Sequence, residues 1–263
     1  MMLSIVWDVH PEIFPDSGVP IRWYGLLFAA AFLSGHYIFK KILEKDNAPA
    51  EWLDKALYFV MIGTIIGARL GHVFFYDWAY YKNHLIEIPM IWKGGLASHG
   101  AAIGIILALY LYSKKVTKKS ILWALDRVVI TVAAAAILIR TGNFFNSEII
   151  GLPTGTDWGI VFQRIDFVPR HPAQLYEAAC YLLIFLLLYF GFFKWNWNKR
   201  QGMLFGVFLI GVFTARFFIE FVKENQVDFE NTMSLNMGQW LSIPLVLTGL
   251  FFLLKSQKQN NLG

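Results

Sequence analysis

Arg140, Asn143, Asn146 and Glu148 follow directly on an apolar run that contains four consecutive alanines, Ala133 to Ala136. They stand in I-R-T-G-N-F-F-N-S-E-I-I-G, residues 139–151. Polar groups at the mouth of a hydrocarbon span are costly, so a cluster of them there points to a task. Arg140 offers a planar fork of donors that matches a phosphate or carboxylate. The two amides and the acid can orient that fork or hold further polar groups, and Gly142 and Gly151 let the backbone turn or approach a ligand. The chemistry this predicts is an anion site at a membrane surface.

Other groups add to it. G-G-L-A-S-H-G (residues 94–100) sets His99 among small residues at a helix entrance. An imidazole with an ordinary pKa near 6.5 accepts a proton at neutral pH, while a hydrogen bond to a neighbouring helix fits the same position. Arg216, Glu220 and Lys223 share a helix face at i, i+4 and i+7. An intrahelical pair with a snorkelling lysine accounts for two of them. Arg216 lies about two turns deeper, where a charge costs roughly 2.5–3.5 kcal/mol, and a phosphate or carboxylate partner accounts for it better. Arg69 and His72, one turn apart in G-A-R-L-G-H, suit structural and ligand roles alike. R-H-P-A-Q-L-Y-E (170–177) opens a helix with Pro172 in its first turn; Gln174, Tyr176 and Glu177 are read as capping, packing or ligand groups. Asp126 and Arg127 are read as contacts between helices. No Cys pair and no zinc-type histidine spacing is present, and neither nucleotide-binding glycine motifs nor a G-x-S-x-G elbow occurs, so no metal and no cofactor is implied. Cys180, the only cysteine, lies in an apolar block and is expected to be inert.

The elements that must position these groups are membrane helices. Of 263 residues 57% are hydrophobic and only 16% are charged, against about 25% charged in a soluble domain. The apolar residues come in blocks that predict seven spans, at about 21–39, 56–76, 96–112, 121–139, 173–193, 203–222 and 237–254. The expected fold is an all-α integral membrane protein, a single polytopic domain over 1–263. A small insertion at 140–172 follows the fourth span, with a short alternating stretch at 160–168 as a candidate strand. Residues 1–20 read as a surface segment, and 77–95 as an aromatic, polar interface stretch. The N-terminus has neither a basic n-region nor a small-residue cleavage site, so no removable signal peptide is expected.

Charge sets the orientation. Thirteen Lys and Arg fall in 40–55, 113–120, 194–202 and 255–263, but only six in the other loops, which hold about twice as many residues. The positive-inside rule then puts the N-terminus outside and the C-terminus in the cytoplasm. The net charge of +5 reads as cytoplasmic anchoring rather than nucleic-acid binding. With that topology Tyr24, Arg69, His99, Arg140–Glu148, Arg170–Glu177 and Arg216–Lys223 all gather on the outer side, as one shared site requires. A transporter or scramblase of anionic lipids is the main rival, and it predicts polar groups reaching both faces. A structural protein with an inactive site is a second.

In order along the chain, I-R-W-Y-G-L-L (21–27), G-A-R-L-G-H-V-F-F-Y (67–76), G-G-L-A-S-H-G, R-T-G-N-F-F-N-S-E-I-I-G, R-H-P-A-Q-L-Y-E, R-F-F-I-E-F (216–221) and M-G-Q-W-L-S-I-P (237–244) resemble the motifs of the bacterial prolipoprotein diacylglyceryl transferases. The likeness covers nearly the whole chain. It departs at Ile139 and Ala101, where the family usually has glycine, at Val212, often tyrosine, and at Lys223, commonly arginine. The resemblance implies a cytoplasmic (inner) membrane enzyme that acts in the outer leaflet. Such an enzyme moves the sn-1,2-diacylglyceryl group of phosphatidylglycerol to the lipobox cysteine thiol of a prolipoprotein, forming a thioether and releasing glycerol phosphate. It further implies His99 as base for the thiol, and Arg140 and Arg216 as phosphate ligands that stabilise the leaving group. Tyr24, Arg69, Asn143, Asn146, Glu148, Gly151 and Glu220 are the expected substrate-binding residues.

Overall fold

A computed structural model describes residues 4–15, 17–18, 21–225 and 228–258; the extreme ends of the expected surface segment and polar tail lie outside the described residues. Among the described residues eight α-helices follow one another: α1 Trp23–Lys45, α2 Glu51–Phe75, α3 Trp78–Tyr81, α4 Ser98–Tyr112, α5 Ile121–Asn146, α6 Ala173–Phe193, α7 Met203–Ile219 and α8 Met237–Lys258. Seven helical segments among the described residues are long and apolar enough to cross a membrane. Their outward faces carry large apolar side chains such as Leu33, Leu183 and Phe251, all exposed, as lipid contact requires. The expected all-α membrane fold is therefore found, with three short strands as its only sheet among the described residues.

The chain divides into two compact units, Met1–Ile38 with Asp126–Gly263, and Phe39–Leu125. In the second, α2 and α4 run antiparallel with glycine against glycine. A Cβ on Gly67 would strike the Gly100 carbonyl and lie 2.8 Å from Gly104 Cα, and one on Gly104 would strike the Gly63 carbonyl. Without a hydrophobic drive between helices in lipid, such close backbone approach supplies the dispersion contact that holds them. Gly67→Leu should therefore lower the melting temperature in detergent by an amount equivalent to at least about 1–3 kcal/mol of overpacking. Ile66→Leu, at a position 53% exposed on the same helix, should leave it unchanged. Equal melting of both variants would remove the glycine seam as the source of this packing.

In the first unit, α5 continues through Asn146, two turns beyond the end that its apolar run predicts at 139. Arg140, Asn143 and Asn146 thus project from a helix at i, i+3 and i+6 rather than from a loop. Gly142 is helical; its place is to admit Tyr24, whose ring carbon Cδ2 would lie 2.9 Å from a Cβ there. At the other end of α5 the buried Asp126 accepts the backbone N–H groups of Gly202 (2.7 Å) and Phe205 (2.9 Å). It caps the first turn of α7 and satisfies donors that lipid cannot.

The strands are β1 Ile5–Trp7, β2 Ile160–Phe162 and β3 Pro169–Arg170, with β2 central, parallel to β1 and antiparallel to β3. The alternation expected over 160–168 is not what builds the strand. Only three residues extend, all buried, because Phe162 and Ile160 pack with Phe144 and Ile150 under Trp7. The Trp7 and Phe144 rings lie 4.3 Å apart. Ile5–Trp7 are thereby tied to the insertion and to the end of α5.

Candidate active site

Four helix ends of the first unit bring their polar residues together. At the end of α5, Arg140 Nη1 donates to Asn143 Oδ1 (3.3 Å), and Asn143 Nδ2 donates to Glu148 Oε2 (3.3 Å). Asn146 Nδ2 donates to the other Glu148 oxygen (3.1 Å). The helix stops there because Ser147 and Ile149 take the left-handed conformation, with φ of 54° and 57°. Arg164 closes the end, donating from Nη2 to the Phe145 carbonyl (3.0 Å) and to Ser147 Oγ (2.9 Å); a cation at exposed carbonyls is favoured by their dipoles. The Gln174 amide, from the first turn of α6, donates to the Glu148 carbonyl (2.6 Å).

Glu177, one turn further along α6, is fully buried and sits between two cations. Its Oε2 lies 2.7 Å from Arg140 Nε, and its Oε1 lies 3.6 Å from Lys223 Nζ. Lys223 Nζ also donates to Glu220 Oε1 (2.7 Å), and the same oxygen is 3.4 Å from Arg216 Nε. Asn236, at the entrance to α8, donates from Nδ2 to Glu220 Oε2 (3.0 Å). The result is a run of alternating charge, Arg140–Glu177–Lys223–Glu220–Arg216, three cations against two carboxylates. Charges this deep persist only when paired.

The run is incompletely satisfied. Both Glu177 oxygens and Arg216 Nε are buried without a hydrogen-bond partner among the described residues. The Arg140–Glu177 approach is therefore a charge contact with the N–H off line, not an aligned hydrogen bond. Arg140 donates from Nη1 to Asn143 and is also hydrogen-bonded to the Tyr181 side chain, while five N–H donors are available to an arginine. Donor capacity is left over at a water-poor helix end, which suits a phosphate.

Two sequence readings change. Lys223 does not snorkel: its side chain is 4% exposed, because two acids and a backbone bridge to Gly151 hold it inward. Gly151 lies at a crossing of backbone segments. A Cβ there would strike the His171 carbonyl and lie 2.8 Å from the Val222 carbonyl, while Gly151 N–H donates to His171 O (3.0 Å) and Leu152 N–H to Val222 O (2.9 Å). Glu177 is the residue the sequence undervalued; a carboxylate inside an apolar block was the available signal. At the crossing, Arg170 donates to Gly151 O (3.1 Å) and to Asp166 Oδ2 (2.6 Å from Nη2), and it holds the Asp166 carboxyl below the usual carboxylate range.

The structure thus collects Arg140, Asn143, Asn146, Glu148, Glu220 and Arg216 in one unit, with Tyr24 against Gly142. His99 and Arg69 belong to the other unit. His99 is exposed at the start of α4, its ring centroid 5.4 Å from those of Phe75 and Tyr76. Arg69 is 2% exposed and donates to the backbone carbonyls of Ile88, Gly94 and Glu87.

A family model described as prolipoprotein diacylglyceryl transferase matches residues 11–255. A phosphatidylglycerol–prolipoprotein diacylglyceryl transferase of Chloroherpeton thalassium is 46% identical over 258 residues, 98% of this chain and 96% of that protein. The protein of the same name from Tolumonas auensis is 46% identical over 255 residues, 97% and 98% of the two chains. That from Porphyromonas gingivalis is 46% identical over 269 residues, 97% and 95%.

Proposed function

The chain belongs to the prolipoprotein diacylglyceryl transferase family, and we infer that it is an enzyme that transfers the diacylglyceryl group of phosphatidylglycerol to prolipoproteins, the first step of lipoprotein lipidation. The observation that carries the chemistry is the convergence of Arg140 and Arg216 on one buried run of alternating charge. The acceptor in this proposal is the thiol of the lipobox cysteine, and the donor group is sn-1,2-diacylglyceryl. The site faces the outer leaflet of the bacterial cytoplasmic membrane, with the N-terminus outside and the C-terminus in the cytoplasm, as the bias of Lys and Arg among the loops supports.

In the reaction the thiolate sulfur attacks the sn-3 carbon of the diacylglyceryl group. A C–S bond forms, the bond from that carbon to the phosphate oxygen breaks, and its electron pair leaves with glycerol phosphate. A thiol has an ordinary pKa near 8.5 and an imidazole one near 6.5, so the proton transfer is uphill by about 2.7 kcal/mol. His99 is assigned as the base that takes this proton, and cations near the sulfur narrow the gap. A phosphate leaving group needs charge stabilisation more than protonation. Arg140 and Arg216 supply it, while Asn143, Asn146 and Glu148 hold Arg140 or the glycerol headgroup. Tyr24 and Gly151 shape the site, and Glu220 positions Arg216.

Purified protein in detergent, given phosphatidylglycerol and a lipobox peptide, should add one diacylglyceryl mass to the peptide and release an equal amount of glycerol phosphate. Folded protein without transfer, beside active relatives, would favour lipid movement across the bilayer instead. His99→Gln should lower kcat by about 10²–10⁴; full activity in that variant would remove the base assignment.

A further inference from the structure

We propose that Arg69 is a positioning residue for this reaction, fixing the loop that leads the chain into His99 instead of binding the lipid phosphate. The proposal rests on the reading of His99 as the base. Arg69 lies on α2 and is buried. Its Nε donates to the Ile88 carbonyl (2.7 Å) and its Nη2 to the Glu87 carbonyl (2.7 Å). Its Nη1 donates to the carbonyls of Gly94 (2.6 Å) and Gly95 (3.4 Å). One guanidinium therefore ties together both ends of the 87–95 segment, and four of an arginine's five N–H donors are used on backbone. The Tyr81 ring lies 4.9 Å from Arg69 Cζ, covering the group further. A phosphate ligand here would have to compete with these carbonyls for the guanidinium.

The clamp continues into α4. Glu87 and Lys93 pair across the same segment at 3.0 Å. Gly95 takes a φ of 73°, and a Cβ there would run into the His72 ring and lie 3.1 Å from Arg69 Nη1. Two residues later the Ala97 N–H donates to the carbonyl of Ala68, the neighbour of Arg69 (2.9 Å). α4 then starts at Ser98, so the position of His99 follows from where Arg69 holds the preceding loop. Lysine cannot reproduce this, because a point charge does not span four carbonyls.

Arg69→Lys and Gly95→Ala test the idea together in the full-length protein, with phosphatidylglycerol and a lipobox peptide at pH 7 and pH 9. Gly95→Ala displaces the loop and leaves the arginine in place. Both variants should lose about tenfold or more in kcat at pH 7, since misplacing a reacting group by about 1 Å costs up to ~10²-fold. KM for phosphatidylglycerol should stay within about threefold in each. At pH 9 the deficit should largely close, because the peptide thiol, with an ordinary pKa near 8.5, then ionises without help from a base. A merely structural role predicts a deficit equal at both pH values, reflecting fewer folded molecules, and that result overturns the proposal. A tenfold rise in KM confined to Arg69→Lys would do the same by making Arg69 a lipid ligand. If His99→Gln shows the deficit closing at pH 9 and these variants do not, the base assignment survives and the positioning role falls. If His99→Gln shows no deficit, both fall. Should Arg69→Lys fail to fold, Gly95→Ala carries the same comparison.

Discussion

Arg140→Lys lowers kcat by about 10²–10³-fold while the protein keeps its fold. Lysine retains a positive charge beside Glu177, so the buried acid is not orphaned and the melting temperature should move little. What lysine lacks is the fork. Arg140 is held on one side by Glu177 at Nε (2.7 Å) and on the other by Asn143 at Nη1 (3.3 Å). The charge contact with Glu177 and the hydrogen bonds to Asn143 and Tyr181 restrain the guanidinium, and its remaining donors keep a set direction relative to the lipid. A flexible ammonium has three donors and no plane, so it meets a developing phosphate charge with poorer geometry. Arg216→Lys should act in the same direction but less strongly, because Arg216 is 37% exposed and Arg140 only 17%, and water there shares the work. Steady-state rates of diacylglyceryl transfer, measured on material of matched melting temperature, provide the comparison. Turnover like that of the unchanged protein in both variants would end the assignment of the two arginines to the phosphate.

Much of this was legible in the residues, and the parts that were not have identifiable causes. Hydropathy alone gives the seven helices, because lipid forces every span to satisfy its own backbone. It misplaces the end of α5, since an apolar run stops at Ile139 but the helix continues, with its polar side chains partnered by protein, until the left-handed Ser147. Arg140 and Asn143 are partnered in this way. Arg140, Asn143, Asn146 and Glu148 were readable because they lie together in sequence. Glu177 and Lys223 were not, because their contact with each other and that of Glu177 with Arg140 join residues far apart along the chain. Lys223 read as a lysine reaching for water, the ordinary fate of a lysine at a helix end. The acids of two different helix ends turn it inward instead. Arg69 illustrates the same limit in the opposite direction. A buried arginine in a span suggests a ligand, and the sequence does not show that four of its hydrogen bonds go to carbonyls of a loop 18–26 residues away.

Glu177→Gln should be the most damaging single change in the first unit, because it removes the carboxylate between two cations without removing either. Breaking a buried pair from one side costs about 3–5 kcal/mol, since the remaining charge is left uncompensated. Arg140 and Lys223 would then face each other across a neutral amide, and Arg140 would lose the contact that fixes its Nε. Both stability and transfer should fall, the second by at least as much as in Arg140→Lys. A second substitution separates the two effects. Lys223→Met in the Glu177→Gln background removes the excess cation, so the melting temperature should recover by a measurable part of the loss. Transfer should not recover with it, because Arg140 is still unanchored. That split, stability returning without activity, is what distinguishes an acid that orients a catalytic arginine from one that merely balances charge. If Glu177→Gln instead melts and turns over like the unchanged protein, the alternating run from Arg140 to Arg216 is not what organises the site, and Arg140 must take its orientation from Asn143 and Tyr181.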